Sequence, residues 1–351
     1  MKNVDYIIVG QGIAGTMVSF FALKANKKIW VINEDHPQTA SKISAGLINP
    51  ITGRKFVKTW MIDELLPFAE ATYQELSEWL SMPFFYQKNI IRALKNHEQE
   101  NNWMVRSSME IYQAFMMDSL DLGNYKDNIH PVGGGYGEVT GGGQVRVAEL
   151  LEAFANFLIK KEIYQNEPFD YSAIEAQENG VIYKDIKAEK IIFCEGIGIK
   201  NNPYFNQLPV IGNKGEVLII HIPNFDAAKI MKQGVFFIPL GNEEFWVGSN
   251  YALEFDDELP SEKGRESLIY KIKKVLKLPF EIVKHQAAIR PTVLDRRPLI
   301  GVHPEFKHIA IFNGMGTKGA SIAPYWANHL IEAFTTGQKI EKIADVKRCF
   351  M

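Results

Sequence analysis

Unbroken apolar runs alternate with helix-spaced apolar positions at both ends of this chain. Tyr6–Val9 is apolar throughout, Thr16–Ala25 continues with a helix-compatible pattern, and Ile29–Ile32 is a second apolar run. Strands buried on both faces have this character, so strand, turn, helix and strand of a parallel sheet are predicted. Lys190–Cys194 is another buried-strand candidate, and Ile309–Phe312 is a late one, followed by a helix from about Ala323. Trp60–Leu80 has the spacing of an amphipathic helix, which Met82-Pro83 closes. Val147–Lys161 and the lysine-rich Leu268–Leu278 predict two more. Asn89–Leu94 reads as a short β run, and the glycine-dense Gly133–Gly143 as loop or tight turn. Val235–Leu240 and Phe245–Ser249 flank Gly241-Asn242-Glu243-Glu244 and predict a hairpin.

The α/β pattern thus appears at the start, around Cys194 and at the end, with antiparallel-looking segments between. One nucleotide-binding domain built from three chain segments, with a second sheet domain inserted in two pieces, is the simplest architecture. The length of 351 residues accommodates about two domains. With 46% hydrophobic and 23% charged residues, the disordered and low-complexity classes are excluded for the bulk of the chain. A net charge of −2 gives no basic footprint for nucleic acid. Only a local patch, such as Lys271, Lys273, Lys274 and Lys277, is left for such a partner. Cys194 and Cys349 are too few for a disulfide framework and are expected to be free thiols. No run is long enough for a membrane span, and Asp5 with the early glycines breaks any signal-peptide core. A cytoplasmic enzyme is expected. No metal-ligand spacing and no Ser–His–Asp arrangement stands out, so neither a metal nor a nucleophile is predicted.

Gly10-Gln11-Gly12-Ile13-Ala14-Gly15 lies between the first strand and the first helix. Gly10 permits a tight turn, Gly12 lets backbone approach a pyrophosphate, and Gly15 allows close helix–strand packing. The helix N-terminus then offers N–H groups to the phosphates. Glu34 ends the second strand about twenty residues beyond Gly15, where an acid binds ribose hydroxyls. This motif alone does not separate FAD from NAD. A second cluster, Gly314, Gly316 and Gly319, follows the late strand and opens the last helix. A second helix N-terminus suits the electron-rich N1–C2=O edge of a flavin.

These residues resemble the FAD-dependent D-amino acid oxidase superfamily, in its glycine oxidase and sarcosine oxidase branch. The matching pieces are Tyr6–Gly15, Ser44–Pro50, Lys190–Gly196, Phe236–Ser249, Ala288–Gly301 and Asn313–Pro324, in the family's order along nearly the whole chain. The last two also resemble the flavin half of the bacterial enzyme that trims a carboxymethyl group from a modified wobble uridine in tRNA. The resemblance implies a Rossmann-like FAD-binding domain over 1–80, 140–207 and 288–351. It also implies an inserted α+β substrate domain with a mixed or antiparallel sheet over 81–139 and 208–287.

Site roles follow by position. Gly12, Ile13 and Ala14 would meet the pyrophosphate and Glu34 the ribose. Ser44, Gly46 and Leu47 would approach the isoalloxazine, Phe169 the adenine end, and Gly196 would line the dinucleotide. Gly314, Met315, Gly316, Thr317, Lys318 and Gly319 would contact the ring's pyrimidine side. Arg290 falls where glycine oxidases clamp a substrate carboxylate, a task that suits a guanidinium; the alternative is an ion pair, for example with Asp295. Arg54 and Lys55 are secondary candidates for charge at the site.

Three positions depart from the family. Phe236 replaces a tyrosine of glycine oxidases, Trp246 replaces the lysine that assists oxygen in sarcosine oxidases, and Thr317 replaces a basic residue, with Lys318 one place on. The implied activity is oxidation of a carboxylate-bearing primary or secondary amine by hydride transfer to noncovalent FAD. Oxygen or another acceptor would take the electrons. A wobble-uridine tRNA substrate, a nicotinamide-dependent dehydrogenase and a non-catalytic flavin carrier are the alternatives.

Overall fold

The computed structural model describes residues 1–117 and 120–350. Asp118, Ser119 and Met351, which fall in the expected segments 81–139 and 288–351, lie outside the described residues. Lys2–Val9 lies inside an eight-stranded sheet. It pairs in parallel with Ile29–Asn33 on one side and with Ile186–Phe193 on the other. Tyr164–Asn166 extends the sheet beyond Ile29–Asn33, again in parallel. Along its far side Ile186–Phe193 meets Gly180–Tyr183, antiparallel at its start, and Ile309–Asn313, parallel at its end. The side chains of Ile7, Ile8, Val31, Ile191 and Ile192 are all fully buried, because layers cover both faces of this sheet. Helices Ile13–Lys24, Ile62–Leu80, Val147–Lys160 and Gly319–Thr336 share the core on one face. An aromatic layer that includes Phe193 and Phe205 fills the other.

The second sheet also has eight strands and is mixed. Its order is Glu281–Val293, Val210–His221, Glu244–Gly248, Val235–Gly241, Ile230–Gln233, Ile90–Ala93, Tyr136–Val139 and Met116–Met117. Only the pairing of Ile230–Gln233 with Ile90–Ala93 is parallel. The longest pairing joins Val210–His221 to Glu281–Val293, with a bulge between Ile219 and Ile220. Glu281–Val293 is one continuous strand that runs through residue 288.

Three expected elements differ from those observed. The glycine-dense stretch 133–143 is not all turn, because Tyr136–Val139 within it is a strand. Gly137 serves packing there: a Cβ would lie 2.2 Å from the Trp103 ring. The turning is done by Gly135 and Gly141, whose φ angles are +71° and +64°. The lysine-rich helix runs Glu262–Lys273, earlier than Leu268–Leu278, since Ser261 caps it by accepting from Gly264 N at 3.0 Å. The closing helix begins at Gly319, not near Ala323, and carries Pro324 inside it.

That proline is tolerated for a visible reason. Pro324 has no N–H to offer the Ala320 carbonyl one turn earlier. The fully buried Tyr73 donates its hydroxyl to that oxygen at 2.7 Å. The bond joins Ile62–Leu80 to Gly319–Thr336 and fixes where the last helix begins. Tyr73→Phe would leave a buried carbonyl without its donor, at about 1–3 kcal/mol. Urea unfolding of the two proteins side by side should read that loss as a lower midpoint with an unchanged slope.

Candidate active site

The parallel strands Lys2–Val9, Ile186–Phe193 and Ile309–Asn313 all end at one edge of their sheet. Their following turns open into a single cavity of about 1040 Å³. Ligand pockets commonly span ~300–1,000 Å³, so a dinucleotide with a small substrate fits here. The second sheet supplies the opposite wall through Val217, Phe236, Ile238, Trp246 and Ala288. The indole N–H of Trp246 donates to the Ile43 carbonyl at 2.9 Å and ties that wall to the nucleotide side.

The first turn is arranged as its glycines require. Gly10 adopts a φ of +93°, and a Cβ on it would lie 2.7 Å from the Cys194 carbonyl. Asn33 accepts from Gln11 N at 2.8 Å, and Ser41 accepts from Ile13 N at 3.1 Å. No side chain caps the helix Ile13–Lys24, and its first turn holds no acid. The remaining first-turn N–H groups are therefore available to an anion. The last helix is uncapped in the same way at Lys318, and its first turn is also free of acids. Two helix N-termini thus serve one cavity, an arrangement that fits a pyrophosphate at one and an electron-rich ring edge at the other.

Most residues singled out from the sequence line this cavity. Gly10, Gly12, Ile13, Ala14 and Glu34 do so around the first turn. Ser44, Gly46, Leu47, Phe169 and Gly196 line its middle, and Met315, Gly316, Thr317, Lys318 and Gly319 the second turn. Arg54 sits exposed on the wall, while Lys55 does not line it. Gly15 and Gly314 do not line it. A Cβ on Gly15 would lie 1.8 Å from the Gly10 carbonyl, so this glycine packs helix against turn. Gly314 is buried with a φ of +77°, and a Cβ there would strike Val293 at 2.7 Å.

Arg290 lines the cavity wall without an ion pair among the described residues. Its guanidinium donates to Asn213 Oδ1 at 3.1 Å and Ser249 Oγ at 2.7 Å, and lies 5.0 Å from the Tyr251 ring. Asp295, the alternative partner, pairs instead with Arg348 at 3.1 Å. Burial pulls the Arg290 pKa below its ordinary value, with Tyr251 opposing. Gly215 makes this pose possible, because a Cβ on it would lie 1.8 Å from the guanidinium.

Glu195, Lys232, Arg92 and Arg296 are among the ionisable residues of the site that escaped the sequence reading. Burial pushes the Glu195 carboxyl up to about 7, against hydrogen bonds from Tyr171 and Asn202. Burial, then Arg92, Lys271 and Lys95, pull Lys232 down to about 7, and burial lowers Arg92. Arg296 joins Arg297 in acting on Lys318, which burial first and then those two cations bring down to about 8. The signal for Glu195 was present, one place after the Lys190–Cys194 run; the others carried none. Burial also raises the Cys194 thiol well above its usual range. Among the described residues no helix is long and apolar enough to cross a membrane.

The same architecture occurs in glycine oxidase from Geobacillus kaustophilus, at a TM-score of 0.81 and 17% identity, covering 97% of this chain and 96% of that one. Glycine oxidase from Bacillus cereus gives 0.77 and 19%, covering 96% of each chain. Iminodiacetate oxidase from Chelativorans sp. gives 0.75 and 16%, with the same coverage. At these identities the likeness concerns the fold. A family model described as FAD dependent oxidoreductase matches residues 5–333, nearly the whole chain. This chain belongs to the DAO family of FAD-dependent oxidoreductases.

Proposed function

We propose that this enzyme oxidises a small amine that carries a carboxylate next to the reacting carbon. The observation that carries this reading is Arg290, a largely buried guanidinium held by two neutral oxygens and lacking a carboxylate among the described residues. A buried cation is costly unless paired. A substrate carboxylate would supply the missing anion in bidentate geometry. The solved enzymes of similar fold include ones named for glycine and for iminodiacetate, both carboxylate-bearing amines.

FAD, held noncovalently, supplies the two-electron acceptor. Around it this chain's residues would orient and exclude water. Glu34 would accept from ribose hydroxyls at the end of Ile29–Asn33. The Gly12–Ala14 backbone would receive the pyrophosphate. Lys318 and Arg296, at the last helix N-terminus, would favour negative charge on the ring. Phe236 and Trp246 would form the apolar wall against which the substrate carbon rests. Arg54 would add positive charge at the mouth. With the amine bound neutral, its carbon loses hydride, nitrogen releases a proton to water, and the resulting imine hydrolyses. Orientation by Arg290 is the main contribution the chain makes to that step. Oxygen or a different oxidant would be the final electron acceptor. In this reading the segments 1–80, 140–207 and 288–351 form the FAD-binding domain, and 81–139 and 208–287 the substrate domain, in a cytoplasmic protein.

An anaerobic screen of amines for bleaching of the flavin bands tests the reading directly; absence of bleaching by every carboxylate-bearing amine would sink it. Arg290→Ala should keep its flavin colour while kcat/KM for the bleaching amine drops by about a hundredfold or more, on the ~2–5 kcal/mol of a truncated buried charge pair. Gly215→Ala should mimic part of that loss, because the added methyl displaces the guanidinium; unchanged KM would contradict the assigned pose. Glu34→Ala should weaken FAD uptake by the apoprotein about tenfold, for a charged hydrogen bond of ~1.5–3 kcal/mol, as read by quenching of flavin fluorescence.

A further inference from the structure

The floor of the cavity is the inward face of the mixed sheet, and its register fixes what lies on it. Residues directly opposite each other on neighbouring strands share a face. Arg290 faces Asn213, Ala288 faces Gly215, and two places on Val217 faces Gly248. Gly248 faces Phe236, Phe236 faces Lys232, and Lys232 faces Arg92 across the parallel pair. The same face therefore carries cations at two ends with an apolar middle between them. Four strand steps of ~4.8 Å and four residues of ~3.3 Å along Val210–His221 separate the Lys232 and Arg290 backbones, about 23 Å in all, and both long side chains line the one cavity between.

At the second end the charges have no acidic partner among the described residues. Lys232 Nζ lies 3.9 Å above the Phe236 ring and 3.4 Å from the Gly234 carbonyl. Arg92 donates to the Gly53 carbonyl at 2.8 Å and lies over the Phe56 ring. Burial acts on both, and repulsion from Arg92, Lys271 and Lys95 acts further on Lys232. The carboxylates that line the cavity stand elsewhere. Glu167 pairs with Lys184, Glu258 with His36, Glu195 bonds Tyr171 and Asn202, and Glu34 ends its strand. Two adjacent, largely desolvated cations facing a cavity without a counter-charge make a site for an anion from outside.

We propose that Lys232 and Arg92 form a second anion subsite across the sheet floor from Arg290. This deepens and rests on the amine reading above: the substrate carries two acidic groups, one beside the oxidised carbon and a carboxylate or phosphoryl group at its far end. Phe236, Ile238 and Trp246 then cover the carbon chain between the two anions.

The test uses FAD-loaded enzyme and redox-inert acids, with binding read from perturbation of the flavin spectrum. Pentanoate is compared with glutarate and hexanoate with adipate, and 4-phosphonobutyrate serves as the phosphoryl arm. At least tenfold tighter binding of a dianion than of the monocarboxylate of equal chain length is expected. The tighter of the carboxylate and phosphoryl dianions identifies the far group. Lys232→Met and Arg92→Met should each collapse that ratio toward one, whereas Lys232→Arg should retain it; thermal melts establish that the variants are folded. Equal affinity for monoanions and dianions at every length, or a ratio that survives both methionine variants, overturns the subsite. Because the acids are inert, the outcome does not depend on turnover. Dianion preference in an enzyme that no amine reduces would overturn the amine reading and keep the subsite, and amine oxidation without dianion preference would do the reverse.

Discussion

Parallel pairing obliges neighbouring strands to end at the same edge, and in this protein the chain reaches that edge after Val9, after Phe193 and after Asn313. The turns that follow must lie within backbone contact of one another. Gly10 has room only for a hydrogen where it meets the Cys194 carbonyl, and Gly15 only for a hydrogen where it meets Gly10. A methyl group at either point would pry the first helix from the sheet. With the turns so close, two helix N-termini open into one space, and a cavity suited to a dinucleotide follows from strand direction and glycine placement together.

Two kinds of buried charge separate function from structure. Glu216 is buried and fully engaged: His285 lies 2.9 Å from it, and Ser261 donates to it through both its hydroxyl at 2.7 Å and its N–H at 3.0 Å. That carboxylate holds the start of Glu262–Lys273 against the long strand pair. Arg290, Arg92 and Lys232 are held only by neutral oxygens and aromatic rings. Such cations cost folding free energy that the extensive apolar core offsets. Their positions on one sheet face, rather than their number, set where along that wall an anion can bind.

The nucleotide half was legible in the sequence because its signals are contiguous. A glycine motif, the strand before it and the helix after it occupy one short stretch, and the register of Lys2–Val9 with Ile186–Phe193 only arranges such stretches side by side. Arg290 was legible through the segment Ala288–Gly301, although its partners Asn213 and Ser249 come from other strands. Lys232 and Arg92 were not legible. They meet through a parallel pairing of two four-residue strands far apart in the chain, and no local pattern announces such a pairing. The stretch 133–143 was misread because glycine marks close packing as well as turns, and the Trp103 ring that needs Gly137 lies on a separate helix. The closing helix starts at Gly319 and runs through Pro324, where Tyr73, distant in the chain, satisfies the carbonyl that the proline orphans.

Arg290 is followed at once by Pro291, whose carbonyl accepts from Gly316 N at 3.1 Å in the second glycine turn. Arg290 and the second glycine turn are thus joined through adjacent residues. Their separation is set by covalent chain length and one backbone bond, not by closure of two bodies. The chain between 291 and 316 passes through the exposed turn at 304–307, where added residues would leave that bond in place.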